Sequence, residues 1–573
     1  MNGVLVIVLL TMVPFVAAET EAVHASGGRT IYVSTAPEQY SSDEFTDKEI
    51  VVYQSLREAV GNLRKGDELV LDAGVYRDSI DLSNLKGVGG TTVIRGRSGS
   101  DVVIKGSDLV DGWRSLGDGL FVKDGWQINS QQVYVNGNPL TQVGGEIYGG
   151  YPSDLSNELH DLHKRRGIWP GRLSGNGAND METGSFFYDM EAKKLYIKLE
   201  PDVQITDAKV EVSIRTYLLN APMVDDLEIS DIRFEHSNTS AKSRSAAVRL
   251  LGSRIRVNGM VVRLADSVGL VIRGNDNIVE NSVFEYNGRL GMVASGRNVR
   301  LINNSTNYNN TRGFNPNWAA GGIKLVGGGG LKDSRIEYHV SIGNNGDGIW
   351  FDWKSRANVV SNSVVVGNNG HGLHYEASFS GEFHDNLIFN NAKRGIYLPN
   401  SSNCSVHHNL IILNGLEQVA TIYSGRQDPE GETDFSVHGN RILRNVIGWG
   451  RSNRPVLVLP RKRADNTSNQ NIFIYDKKYP VFSLGWPRLM SLWKAWDLRE
   501  WIRHSDQDRD SIVVQATVPR YLLRWRASQP LVSNLDVVRG FVERAYQDVC
   551  HASDLAAICK GRLPWPASYA LPR

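Results

Sequence analysis

Short stretches in which apolar and polar residues alternate, each broken by Asn or Gly, fill the middle of this chain. The segments NIVENSVFEYNGRLGM, NVVSNSVVVGNNGHGL, EFHDNLIFNNAKRGI and SVHHNLIILNG share one layout: two alternating runs flank an Asn, and an NG or NN pair follows. Alternation marks strands with one buried face, and its repetition marks a solenoid. Equivalent positions run Asp231, Asn258, Asn281, Asn304, His339, Asn362, Asn386, Asn409 and Asn440. Most steps are 23 or 24 residues, while Asn304 to His339 and Asn409 to Asn440 measure 35 and 31. The long steps predict loop insertions near Thr311–Ala320 and Leu416–Glu432.

A repeat of this length is too short for a helix pair. It accommodates one coil of three short strands, with successive coils stacked about 4.8 Å apart through parallel backbone hydrogen bonds. Alternate side chains fill the bore, which places Val279, Val283, Val360 and Val364 inside. The ladder Asn sits at a corner, where it tolerates left-handed backbone, and its amide can bond to the next one along. A leucine-rich repeat has a similar period, but its leucine pattern is missing. The expected fold is an all-β parallel β-helix. From about Val456 the repeat fades, and LMSLWKAWDLREWI and LDVVRGFVERAYQDVC read as amphipathic helices of a C-terminal cap.

A length of 573 residues would ordinarily mean several domains, but repeat folds grow as one unit. With 41% hydrophobic and 22% charged residues the chain has ample core material. Its 63 basic and 62 acidic residues nearly cancel, which argues against nucleic acid as a partner. MNGVLVIVLLTMVPFVAAET reads as a signal peptide over residues 1–18, with an uncleaved membrane anchor as the alternative. The mature chain is expected to be secreted or periplasmic, with no membrane contact after cleavage. Cys550 and Cys559 lie close enough in sequence to pair in an exported protein, leaving Cys404 alone in a packed coil. No Cys/His spacing resembles a zinc site. Asp506 and Asp508, in HSDQDRDS, lack the glycine and terminal Glu of a calcium loop. No cofactor or metal is expected.

Candidate chemistry emerges when GGIKLVGG, GDGIWFDWKS, GHGLHYEASF and KRGIYLPNS are aligned by the ladder. Ile323, Ile349, Leu373 and Ile396 point inward, as do Leu325, Phe351, Tyr375 and Leu398. The residues between them face out. One outward column reads Lys324, Trp350, His374, Tyr397, and a second reads Val326, Asp352, Glu376, Pro399. Asp347, His371 and Arg394 form a third, at the turn. Two carboxylates on neighbouring coils, Asp352 and Glu376, disfavour joint ionisation. One then serves as acid while the other stays charged, which is the equipment for cleaving a glycosidic bond. Catalytic roles therefore fall to Asp352, Glu376 and His374. Trp350 and Tyr397 offer faces for a sugar ring, or Trp350 and Trp353 pack under an inserted loop. Arg394, Lys324 and Lys354 are placed to hold a uronate or sulfate, and Asp347 and His371 complete the substrate-binding set. His384, His407 and His408 fall near the corner and read as structural or exposed.

The segment GIWFDWKSRANVVSNSVVVGNNGHGLHYEASFSGEFHDNLIFNN resembles one that recurs in secreted right-handed parallel β-helix proteins related to glycoside hydrolases and polysaccharide lyases. WDLREWIRHSDQDRDSIV is similar to their terminal coil, and IYVS, SLREAV, GDELVLDAGVY and TTVIRGRSG to their opening coils. The resemblance implies a right-handed solenoid and a helix near Ser55–Leu63 capping its open end. It also implies a small β insert around QVYVNGNPLTQV and GSFFYDMEAKKLYIKL. The organisation becomes a signal peptide at 1–18, a cap and first coils at 19–130, the insert at 131–220, main coils at 221–455 and a terminal coil with helical cap at 456–573. The resemblance also implies a polysaccharide or oligosaccharide substrate, with Asp352 and Glu376 at recurring acidic positions. A glycoside hydrolase is the leading expectation. The alternatives are a lyase or uronate C5-epimerase, which needs a Lys or His base, and a non-catalytic carbohydrate-binding protein. Trp353–Asn358 (WKSRAN) is loosely similar to a Lys-Ser motif of lyases of this fold, but His374-Tyr375 stands where those lyases carry Arg-His.

Overall fold

The computed structural model describes residues 28–34, 50–144, 175, 177–239, 246–327, 329–450, 454–460, 465–485, 496–515 and 517–518. Sheets of 14, 13 and 13 strands form three walls, and the strand pairs between successive coils are parallel. Each coil gives one strand to each wall. Ile255–Asn258, Val261–Arg263 and Val268–Arg273 make one turn, and Ile278–Glu280 begins the next. The bore is filled by a continuous apolar stack that includes Val257, Val262, Leu270, Val279, Phe284 and Met292.

Two of the four valines expected in the bore lie elsewhere. Val279 and Val360 point inward, but Phe284 and Val365 take the inward places beside Val283 and Val364. Val364 is buried against an outer apolar cluster with Ile342 and Phe389. The reason is the corner between the walls. Asn281 (φ 52°) and Asn362 (φ 51°) are left-handed there. One such residue resets the alternation of the strand that follows.

The corner ladder also resolves into distinct columns. Left-handed residues occupy Asp231, Asn281, Tyr338, Asn362, Asp385 and His408. The buried amides sit one residue later. Asn386 Nδ2 donates to Asn409 Oδ1 at 3.0 Å, and Asn409 Nδ2 to Asn445 Oδ1 at 3.0 Å. Asn445, not Asn440, thus succeeds Asn409; Asn440 belongs to another corner, where it bonds Asn466 at 2.9 Å. The longest amide chain is the one the NG and NN pairs announced. Asn287, Asn309, Asn344, Asn368, Asn391 and Asn414 are linked by bonds of 2.8–3.0 Å, ending on Gln418.

A helix at Leu56–Asn62, N-capped by Ser55, lays Leu56 and Ala59 against the first coils. At the other end, Leu498–Ser505 opens with a capping box between Asp497 and Glu500 and buries Trp501. Asp508 accepts from the Trp501 indole at 2.9 Å, from Ser511 at 2.6 Å and from Ser468 at 2.9 Å. Asp506 pairs with Arg509. These bonds give both acids structural partners. The insert is built from strands between Ser107 and Ser213, beginning earlier than residue 131. It docks on the coils through Tyr134, stacked on His236 at 3.7 Å. Residues 1–18, the 535–550 helical segment, Cys550 and Cys559 lie outside the described residues. Among the described residues Cys404 is buried and has no disulfide partner.

Both insertions exist. The first joins Ser305–Asn307 to Gly321–Leu325. The second falls later than expected. Val419–Ile422 is a regular strand in register with Ile396–Pro399, so the extra length is 423–440. Both loops cover the third wall.

Candidate active site

The third wall holds the expected columns. Lys324 pairs in register with Trp350, Trp350 with His374, and His374 with Tyr397. Their neighbours Leu325, Phe351, Tyr375 and Leu398 are in the bore. Asp352 and Glu376 follow Phe351 and Tyr375, and the Glu376 N–H donates to the Phe351 carbonyl at 2.9 Å. They therefore share one outward column on adjacent coils.

Outward does not mean exposed here. Asp352, Trp350 and His374 are 8%, 5% and 7% accessible. The first loop reaches in through Trp318, whose carbonyl accepts from Lys324 Nζ at 3.3 Å. The second packs Phe435 against Trp353 at 5.5 Å and Phe379 at 6.0 Å. It also brings in Arg426, a residue the sequence reading missed. Arg426 Nη1 lies 3.2 Å from Asp352 Oδ1 and hydrogen-bonds Glu376 Oε1. The available signal was the insertion itself, whose GRQDPEGE places a lone Arg beside acids in a loop following the candidate coils.

Several expected substrate contacts are already engaged. Lys324 Nζ bonds Asp352 Oδ2 at 3.0 Å and lies 3.0 Å from the centre of the Trp350 ring. Burial pushes its amine below the ordinary lysine value, against the pull of Asp352 and Glu376. Lys354 is held by Asp428 at 2.9 Å and Glu430 at 3.2 Å. Arg394 is paired with buried Glu417 at 2.6 Å and lies over Tyr397. These three cations are matched by carboxylates of the chain itself. Nor do Trp350 and Tyr397 present open faces. Trp350 is stacked on His374 at 4.9 Å, and Tyr397 on His371 at 4.6 Å. In a column of stacked coils, rings cover one another's faces and turn their edges outward.

His374 is the most constrained member. Its Nδ1–H donates to Asp347 Oδ2 at 2.8 Å. Its Nε2 lies 3.7 Å from Glu376 Oε2 and has no hydrogen-bond partner among the described residues. The same Glu376 oxygen accepts from the Trp350 indole at 3.2 Å. Burial works to raise the Asp347 carboxyl, but the His371 and His374 rings, with Lys393, outweigh it and hold Asp347 well below the usual carboxylate range. Burial pushes His371 well below the ordinary imidazole range, and its Nδ1 accepts the Arg394 N–H at 3.2 Å. Asp347 thus orients His374 rather than facing outward for a ligand.

Asp347, His371 and His374 offer ligand atoms within 4.8 Å of one another. Yet Asp347 Oδ1 accepts the His371 N–H at 2.6 Å and Oδ2 accepts from His374. The trio is thus already joined by hydrogen bonds within the chain. His384, His407 and His408 lie on and beside the first wall. His384 stacks on His407 at 5.1 Å and His407 bonds Glu382 at 3.2 Å.

Residues 242–411 match the model of a right handed beta helix region. No curated protein matches the chain significantly. Among solved structures, one described as the complex of XylC with xylose is 13% identical and covers 86% of each chain, with a TM-score of 0.56. One described as a glycoside hydrolase is 13% identical over 88% of this chain and 99% of that one, at TM-score 0.46. The Azotobacter vinelandii mannuronan C-5 epimerase AlgE6 A-module is 12% identical over 79% and 91%, at TM-score 0.41. Among the described residues no helix is long and apolar enough to cross a membrane. The match and the wall geometry together establish the architecture: the chain is an all-β, right-handed parallel β-helix.

Proposed function

We propose that the chain is a glycoside hydrolase acting on a polysaccharide or oligosaccharide, with Asp352 as nucleophile and Glu376 as acid and base. One observation carries this reading: Asp352 and Glu376 both contact a single nitrogen of Arg426. Nη1 is 3.2 Å from one oxygen and hydrogen-bonds the other. With a hydrogen bond of about 2.8 Å, the two oxygens can be no more than about 6 Å apart. That is short of the roughly 6.5–9.5 Å of inverting enzymes and close to the spacing of retaining ones.

The environments divide the roles. Asp352 is bracketed by Lys324 and Arg426, the setting of an anionic nucleophile. Glu376 Oε2 faces His374 Nε2, an acceptor when the ring is neutral. The two atoms lie 3.7 Å apart, so His374 is placed to relay a proton from solvent to Glu376. When a sugar displaces the Arg426 guanidinium, Glu376 takes up that solvent-derived proton and gives it to the leaving oxygen as Asp352 attacks the anomeric carbon. Water then releases the glycosyl group, with Glu376 as base.

A lyase or C5-epimerase reading draws on Lys324, whose buried amine is lowered and bonds the same carboxylate, Asp352, that Arg426 contacts. The two are separated by products. A hydrolase gives new reducing ends without ultraviolet absorbance, and the anomer formed first keeps the substrate's configuration. Asp352→Asn and Glu376→Gln are each expected to cost at least about 10³-fold in kcat; Glu376→Gln should leave the melting temperature nearly unchanged, whereas Asp352→Asn should lower it because buried Lys324 loses its charge partner. Unsaturated products, or full activity in both variants, would overturn the assignment. Binding without turnover would leave a carbohydrate-binding protein.

A further inference from the structure

The cations first expected to meet an acidic sugar are neutralised within the chain, but another row holds two that are not and one that is only weakly paired. Arg297 pairs in register with Lys332, and Lys332 with Arg356, on three successive coils. The row borders the third wall on the side where Asp352 ends its strand. Arg297 meets Asp333 at 2.5 Å, with both side chains largely exposed, a kind of pair that contributes only about 0–1 kcal/mol. Among the described residues, no carboxylate lies within ion-pair distance of Lys332 or Arg356. Arg356 rests on the Phe379 ring at 4.8 Å.

Beside this row lies a cavity of about 290 Å³, lined by Gly274, Ser295, Gly296, Gly327, Arg297 and Lys332 among others. Its floor is bare because the coils approach closely. A Cβ at Gly274 or Gly296 would come within 2.0 or 1.8 Å of a carbonyl oxygen of the preceding coil. Its position relative to the carboxylates follows from the register. Arg273 pairs with Ser295, and the Val326 N–H bonds the Ala294 carbonyl as the Asp352 N–H bonds that of Leu325. Ser295, Val326, Asp352 and Glu376 thus form one column. The cavity opens about two coil spacings, roughly 10 Å, before Asp352.

From this continuity we infer that the cavity is a binding subsite for an anionic sugar residue. A uronate carboxylate would be held there by Lys332 and Arg297, with Arg356 next along the row. The substrate is then an acidic polysaccharide lying along the solenoid axis. Cations repeating at the coil spacing match a chain that repeats its charge at each sugar. This inference deepens the hydrolase reading, and it rests on that reading only for the direction of the chain across the carboxylates.

The test uses the full chain and oligogalacturonate, oligomannuronate and oligoguluronate, each beside its carboxyl-reduced counterpart, with a sulfated galactan as a separate arm. Binding is measured by calorimetry, and cleavage by reducing ends. At least one acidic member is expected to bind ten times or more tighter than its reduced twin, and more weakly as salt rises. In a Lys332→Ala, Arg356→Ala double variant, KM for that member should rise about tenfold or more while kcat and the reduced twin stay unchanged. Equal binding of every acidic and reduced pair overturns the subsite, whatever neutral sugars are cleaved. So does tight binding of the sulfated galactan alone, or a double variant that weakens both twins alike. Preferential binding of an acidic member that is never cleaved would instead remove the hydrolase reading and leave the subsite standing.

Discussion

Asp352 and Glu376 stand on adjacent coils of one column and are tied together by one guanidinium nitrogen of Arg426. The loop that carries Arg426 is thus part of the electrostatics of the pair. Without it, Lys324 alone faces two carboxylates, and their mutual repulsion is no longer balanced. In Arg426→Ala, kcat should fall at least tenfold while the melting temperature stays within a degree or two, since the side chain is 30% exposed. Added guanidinium ion should restore part of the lost rate. Unchanged kcat would show that the bridge has no part in turnover.

Asp347 acts on Glu376 only through His374. Asp347→Asn removes the acceptor that fixes the ring with Nδ1–H inward, so Nε2 no longer reliably faces Glu376. Expected is a 10- to 100-fold loss in kcat with KM unchanged. In a His374→Ala background the same substitution should cost nothing further. Additive losses in the double variant would mean that Asp347 has a separate role.

Much of this was legible in the chain before any coordinates. Ile323, Leu325, Ile349 and Phe351 alternate strictly, so Lys324, Trp350 and Asp352 had to face out, and the period near 23 residues set Glu376 beside Asp352. What failed were relations that alternation does not encode. Val283 and Val364 were misplaced because a left-handed corner residue resets the phase. Asn445 was passed over for Asn440 because both belong to Asn columns and an insertion separates them from Asn409. Arg426 lies 50 residues beyond Glu376, and a loop's return path leaves no periodic trace. Arg394 and Lys354 looked available because Glu417, Asp428 and Glu430 lie on segments whose placement the repeat could not give.

The second loop is anchored by a small apolar cluster of Ala377, Phe379, Phe435 and Trp353. Phe435→Ala should release it while leaving the bore intact. Cleavage by a nonspecific protease should then concentrate within 423–440, and kcat/KM should fall about tenfold. The main thermal transition should move by no more than a degree or two. Protection equal to that of the parent would show that the salt bridges of Lys354 suffice to hold the loop.

The amide chain is a stability element with a definite cost. Asn368 Nδ2 donates to Asn391 and to the Ser341 carbonyl, while its Oδ1 accepts from the Asn344 N–H and side chain. Asn368→Leu leaves several of these groups buried without partners. At about 1–3 kcal/mol for each unsatisfied group, the loss should reach about 3–5 kcal/mol in urea unfolding. Replacing exposed Asn298, which bonds Asp276 at a loop edge, by Gly, which keeps its left-handed backbone (φ 53°), should cost under about 1 kcal/mol.

His339 occupies a corner position taken elsewhere by Asn304, Asn386 and Asn409, and this makes the fold acid-sensitive. Burial pushes its imidazole down to about 3, and the ring is fully buried with Nε2 against Thr306 at 2.9 Å. The folded state keeps His339 neutral at a pH where the unfolded chain takes up a proton. Below about pH 6.5 the unfolded state therefore binds more protons, and stability falls by about 1.4 kcal/mol per pH unit for this group until pH approaches 3. His339→Asn removes that dependence. At pH 7 the smaller side chain should cost about 1–2 kcal/mol through the void it leaves. As pH drops toward 4 the variant should overtake the parent, since every other titrating group is common to both. Urea unfolding at pH 7, 5.5 and 4 reads this difference directly. Parallel pH curves for parent and variant would show that His339 already shares its proton in the folded chain.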